Sequence, residues 1–154
     1  MDLREILMST RIGQLALKSV PILSPDDTVQ HAASEMRSHS HGSALVCQDG
    51  RLVGVFTERD LLRWLADGCS LDAPTADAMT ANPQTVSPDD ALFSAIGYLD
   101  QGGYRRVPVV DAQGAPIGII DVKTIVHFFV EHFPTAVYNQ SPQDKQTTSD
   151  REGA

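Results

Sequence analysis

The sequence is poor in the features that mark secreted, membrane-bound and nucleic-acid-binding proteins. Its 154 residues include only two cysteines, Cys47 and Cys69. These have neither the spacing of a metal site nor the number needed for a disulfide framework. Basic residues are outnumbered, 12 Lys and Arg against 20 Asp and Glu, for a formal net charge of −8. A surface dedicated to DNA or RNA gains its affinity from clustered Lys and Arg, so this balance argues against one. It leaves room for one small anionic ligand held by a few local basic groups. No apolar run is long enough to span a bilayer, and Met1-Asp2-Leu3-Arg4-Glu5 lacks a signal-peptide pattern. A cytoplasmic protein with no membrane or nucleic-acid partner is the expectation. Catalytic signatures are missing too: there is no Gly-x-Ser-x-Gly elbow, Walker A loop or dinucleotide fingerprint. His39, His41 and Cys47 fit no common closed metal site, and a solvated or cleft-edge role suits the histidines better. No catalytic residue, metal ligand or required cofactor is assigned, and an enzyme is not expected.

What is present is a soluble globular composition, 42% hydrophobic and 21% charged, at the length of one ordinary domain. Leu3, Ile6, Leu7, Ile12 and Leu15 outline an amphipathic helix over residues 3–17, with a break near Gly13. Val20-Pro21-Ile22-Leu23 is a short extended run, and Ser24-Pro25-Asp26-Asp27 reads as a turn and helix N-cap. Val29, Ala32, Ala33 and Met36 then fall on one helical face. Ala44-Leu45-Val46-Cys47 and Leu52-Val53-Gly54-Val55-Phe56 read as strands joined at Asp49-Gly50, a strong hairpin signal. A helix from Thr57 to about Ala66 follows. The same programme begins again 63 residues later with Ser87-Pro88-Asp89-Asp90. It continues through the face Leu92, Ala95, Ile96 and Leu99, strands at Val107–Val110 and Pro116–Ile120, and a last helix carrying Val122, Ile125, Val126 and Phe129. Repeats this small cannot bury a sheet face alone, so two should pack into one globule.

The stretch Gly54-Val55-Phe56-Thr57-Glu58-Arg59-Asp60 has two readings. Thr-x-x-Asp is close to a capping box, which needs no ligand. A hydroxyl and a carboxylate beside the first turn of a helix can also hold a ribose while a phosphate meets the free amides.

With Tyr104-Arg105-Arg106-Val107-Pro108-Val109-Val110-Asp111 and the two Ser-Pro-Asp-Asp turns, that stretch resembles the cystathionine β-synthase (CBS) domain family. The resemblance runs from residue 12 to about 133 and implies an α/β (α+β) fold, two pseudo-symmetric β-α-β-β-α repeats packed sheet to sheet. The expected layout is an N-terminal helical segment (1–11), repeat 1 (12–68), a linker (69–74), repeat 2 (75–133) and a disordered polar tail (134–154). Such pairs imply a non-catalytic regulatory module with an adenosine derivative (AMP, ADP or ATP, in some members S-adenosylmethionine) in a cleft on each side. Carried over residue by residue, Thr57 and Asp60 meet ribose and phosphate. Met79, Gln84 and Thr85 come from the facing run, with Tyr104 and Arg105 lining the same cleft. The second cleft inverts the pattern, with Asp121 where the hydroxyl belongs and Thr124 where the carboxylate belongs. Asp121 would repel a phosphate; Arg105 and Arg106 could supply positive charge in either cleft, with Lys123 a further partial offset, and this second cleft should be weaker, empty or altered in ligand.

Two functions stay open: a stand-alone nucleotide-sensing module that signals through assembly or an unknown effector protein, and a ligand-independent dimerisation scaffold. Adjacent Phe128 and Phe129 should point to different sides of their helix. With Ile125, Val126 and Phe133 they suggest a homodimer through helical faces. Trp64 is left between a core and an interface position.

Overall fold

A computed structural model of the chain describes residues 2–101 and 105–132; Tyr104, Phe133 and the polar tail lie outside them. The expected helix over residues 3–17 is two pieces, α1 (Leu3–Ser9) and a single 3-10 turn (Ile12–Gln14). Thr10 and Arg11 are extended between them. Asp2 and Glu5 cap α1 reciprocally, which fixes where it starts. Repeat 1 then runs β1 (Ile22–Leu23), α2 (Val29–Ser38), β2 (Ser43–Gln48), β3 (Arg51–Thr57) and α3 (Glu58–Ala66). After it come α4 (Thr75–Ala78) and β4 (Thr80–Ala81). Repeat 2 continues with α5 (Leu92–Gln101), β5 (Arg106–Val110), β6 (Pro116–Asp121) and α6 (Val122–His132).

The hairpin between β2 and β3 turns at Asp49 and Gly50, both at positive φ (54° and 77°), as the Asp-Gly pair demands. The Ser-Pro-Asp-Asp segments are turns, closed by Asp27 N–H to Ser24 O at 3.1 Å and by Asp90 N–H to Ser87 O at 3.1 Å. The cap of α2 falls one residue later than the sequence suggests. Thr28 Oγ1 accepts from His31 N at 3.0 Å, because Asp27 is committed to the Ser24 amide.

The two sheets are built with exchanged edges. β1 pairs parallel with β2, its own hairpin, whereas β4, which leads into repeat 2, pairs antiparallel with β3 of repeat 1. Its counterpart 63 residues earlier, Lys18, bridges Ile119 of β6 in repeat 2. The anchors repeat as well. Ile12 N–H donates to Asp90 O (3.0 Å) and Gly13 N–H to Pro88 O (2.9 Å). In the other half Thr75 N–H donates to Asp27 O (2.7 Å) and Ala76 N–H to Pro25 O (3.0 Å). Side chains follow the backbone: Ile12 and Leu15 are buried in the core of repeat 2 with Leu92, Val107, Val109 and Ile120. Ala78 and Met79 pack against the core of repeat 1, formed by Val29, Ala32, Met36, Val46 and Phe56. The sheets meet face to face through Val20, Leu45 and Ile119, with Leu52 and Val55 around them.

Both phenylalanines of α6 reach the same core, contrary to the expectation that they part. Phe128 is buried and Phe129 half-buried, their rings edge-on at 6.2 Å. An apolar stripe facing a core is wide enough to take two adjacent positions. Trp64 is half-buried and packs against the core of repeat 1, its Nε1 donating to Ser70 O at 2.8 Å.

Gly54 and Gly118 mark where the exchanged segments cross the sheets. A Cβ on Gly54 would meet the flexible end of Met79, but on Gly118 it would lie 2.8 Å from the Lys18 carbonyl oxygen. Side-chain ends can swing aside and a paired backbone cannot. Gly118→Ala is therefore expected to destabilise by about 1–3 kcal/mol, and Gly54→Ala by less. Urea denaturation of the two variants checks the order; equal losses would mean that the Lys18 crossing is not held in place.

Candidate functional site

Two clefts open beside the ends of the strands. Cleft 1, about 470 Å³, lies between the start of α3 and the run Thr80–Gln84 that enters repeat 2. Its walls combine apolar side chains (Val55, Pro83, Pro108), polar ones (Thr57, Asn82, Gln84) and three guanidinium residues, Arg59, Arg105 and Arg106. Cleft 2, about 440 Å³, lies at the start of α6 and is lined by Lys18, His41, Arg105, Arg106, Asp121 and Lys123, among others.

At the floor of cleft 1 the capping reading holds in full. Thr57 Oγ1 accepts from Asp60 N (3.2 Å), and Thr57 N–H donates back to Asp60 Oδ2 (3.0 Å). The Thr57 hydroxyl donates to that same oxygen at 3.0 Å. Asp60 Oδ1 accepts from Thr80 Oγ1 of the exchanged strand at 3.2 Å, with Arg63 Nη1 4.0 Å away. Asp60 is only 6% exposed and lies beneath the lining rather than on it. Of the residues assigned to this cleft, Thr57, Gln84 and Arg105 line it. Met79 is turned onto Gly54 and the core, and half-buried Thr85 is off the lining. Arg106, assigned to cleft 2, lines both clefts.

Cleft 2 carries the inverted pair, and the inversion preserves the cap. Thr124 donates to Asp121 Oδ1 through both its amide and its hydroxyl, each at 2.8 Å. Thr124 is buried by this bond and does not line the cleft. Asp121 does line it, and its charge is offset by a residue the sequence reading did not name: Lys18 Nζ donates to its Oδ2 at 3.0 Å. Burial opposes ionisation of Asp121, yet the hydrogen bonds from Thr124 and Lys18 outweigh it and hold the pKa below the ordinary carboxylate value. Lys18 could have been found from the repeat offset, since it stands 63 residues before Ala81 of β4. Lys123 lines the cleft as expected, and His41 sits at its edge. No cluster of metal-binding side chains occurs among the described residues. Burial pushes the Cys47 thiol above its usual pKa, which makes it a poor nucleophile.

The CBS domain family matches the chain twice, over residues 12–67 and 76–131. The chain belongs to the CBS domain family. An uncharacterized 17.7 kDa protein of Acidianus ambivalens is 29% identical over 80% of this chain and 76% of its own length. The CBS domain-containing protein YhcV of Bacillus subtilis is 35% identical over 66% of this chain and 72% of its own length. Other relatives are longer: the chain spans 63% of a Methanopyrus kandleri protein and 24% of an Arabidopsis thaliana one. Among solved structures, the CBS domain protein PAE2072 of Pyrobaculum aerophilum, complexed with AMP, superposes with a TM-score of 0.68 at 26% identity. That match covers 74% of this chain and 88% of the other. The exchanged edges are thus the architecture of a tandem CBS pair, with one cleft beside each repeat's last helix.

The Lys18–Asp121 pair sets a pH test. The folded-state pKa of Asp121 is lowered, so its contribution is complete above the unfolded value of about 3.9 and is lost as pH falls through the folded value. Lys18→Met should lower the melting temperature at pH 7. The gap to the natural chain should begin to narrow as pH falls past the unfolded value of about 3.9 and close once pH lies below the lowered folded-state value, where Asp121 has taken up its proton. A gap that persists undiminished in acid would mean that Lys18 stabilises by packing instead.

Proposed function

We propose that this CBS pair is a non-catalytic regulatory module that binds an adenine nucleotide in cleft 1. Occupancy would be passed on through its own assembly or an effector protein. The observation that carries the reading is the lining of cleft 1. Its volume suits a small-molecule site, which runs from roughly 300 to 1,000 Å³. Apolar walls to enclose a base stand beside amide groups and three guanidiniums that can meet phosphate. The AMP complex of the similar Pyrobaculum protein supports the ligand class. Thr57 and Arg105 would meet the phosphate and Gln84 the adenine. Asp60 would take the ribose hydroxyls once they replace the Thr80 hydroxyl on its Oδ1. AMP, ADP and ATP share all of these contacts, and no further cofactor is required.

A titration calorimetry series with AMP tests this. Losing hydrogen bonds to a charged group costs roughly 1.5–3 kcal/mol, so Asp60→Ala should weaken binding by about ten- to a hundredfold. Asp121→Ala should leave that event in place. Because Asp60 also caps α3, the melting temperature of each variant without ligand is compared first. If Asp121→Ala abolishes AMP binding while Asp60→Ala does not, the ligand belongs in cleft 2.

A second reading, a ligand-independent dimerisation scaffold, is favoured by the completeness of the Thr57–Asp60 cap, which is satisfied without a ligand. Both readings share a homodimer. Leu62 on α3 and Val126 on α6, equivalent in the two repeats, are 69% and 54% exposed. Leu65, Val122 and Val130 extend the two apolar faces. A second copy offering the same faces would cover both at once. The double variant Leu62→Glu/Val126→Glu should therefore be monomeric by light scattering at tens of micromolar, roughly the range of a specific dimer, where the natural chain is dimeric. A natural chain that is already monomeric there would remove the dimer from both readings.

A further inference from the structure

We propose that Arg105 and Arg106 form one phosphate-binding ridge shared by the two clefts, so that the chain holds the phosphate chain of one ligand at a time. The inference deepens the nucleotide reading of cleft 1, but its own chemistry concerns the polyphosphate and does not require the adenine.

The residues common to both linings are Gly42, Arg105 and Arg106. Without the two arginines, cleft 1 keeps Arg59 opposite Glu58 and has no net charge. Cleft 2 keeps Lys123, since Lys18 is bonded to Asp121. Each cleft therefore draws its attraction for an anion mainly from the same two guanidiniums. Neither side chain makes an ion pair or hydrogen bond among the described residues, in a chain where acidic groups outnumber basic ones. Guanidinium forks fit phosphate oxygens two at a time, and such donors left unpaired are available to a ligand at no loss of internal bonds.

Gly42 explains why the ridge can serve both sides. A Cβ at this position would lie 3.3 Å from Arg106 Nη2 and 3.2 Å from Glu58 Oε1. The glycine leaves the guanidinium uncovered where the clefts meet, with Glu58 on the cleft 1 side of it. Two phosphorylated ligands drawn to this ridge would repel one another and divide the same donors. The second should bind far more weakly than the first.

Calorimetry of the full chain with inorganic tripolyphosphate and with ATP tests the ridge. Three proteins are compared: the natural chain, Arg105→Gln/Arg106→Gln, and Arg4→Gln/Arg37→Gln, which removes the same charge from exposed helix positions outside both clefts. The natural chain should bind one tripolyphosphate and one ATP, each competing with the other. The ridge variant should lose at least about tenfold in affinity for both, and the control less than about twofold. Arg105→Lys/Arg106→Lys, which keeps the charge without the fork, should fall between. No detectable tripolyphosphate binding, an equal loss in the control, or two ATP per chain of indistinguishable affinity would each overturn the ridge. If ATP binds no more tightly than tripolyphosphate while both depend on the arginines, the ridge stands and the adenine reading of cleft 1 falls.

Discussion

Each half of this molecule is completed by backbone from the other half, and both the cores and the clefts depend on that exchange. Four amide-to-carbonyl bonds seat the incoming turns, at Ile12 and Gly13 on one side and at Thr75 and Ala76 on the other. Ile12 and Leu15 then fill the core of repeat 2, while Met79 lies across Gly54 of repeat 1. Buried backbone donors are costly when unpaired, so the carbonyls of the Ser-Pro-Asp-Asp turns are structural partners rather than loop ornaments. The clefts are a by-product of the same crossing. Cleft 1 exists because Thr80–Gln84 runs past the start of α3, and cleft 2 because Lys18 runs past the start of α6.

Much of this was legible in the residues. Period-two and helical patterning located both hairpins and all four repeat helices closely, with α3 ending at Ala66 as expected. The Asp-Gly turn needed no context at all, because only that dipeptide's left-handed tolerance was at issue. The exchange itself was not legible, because patterning reports which side of an element is buried and not against which partner. For the same reason residues 12–18, which open the first repeat along the chain, give no sign in the sequence that they pack against the core of repeat 2. Phe128 and Phe129 read as divergent only if a core-facing helix is given the narrow seam of a coiled coil.

At the candidate site, sequence reached the residue types and missed their internal commitments. Thr57, Gln84, Arg105, Arg106, Asp121 and Lys123 do line the clefts, but Asp60 and Thr124 are turned inward by their caps. A Thr-x-x-Asp and an Asp-x-x-Thr make the same hydroxyl-to-carboxylate bond, so exchanging them conserves helix initiation while reversing which side chain faces the cleft. Lys18 then neutralises the cleft-facing carboxylate of Asp121. The two clefts share a frame and differ in electrostatics, which is how a duplicated fold acquires two unlike sites without a change of backbone.

The crossing has one more consequence, for a chain that carried a single repeat. Such a chain would own an incoming segment with no sheet to receive it, and a sheet edge with nothing to cover it. Two identical copies would satisfy each other reciprocally, each lending the other its leader. The internal symmetry seen here, with Ile12 on Asp90 matching Thr75 on Asp27, is the pattern that joining two such mutually dependent copies end to end would leave behind.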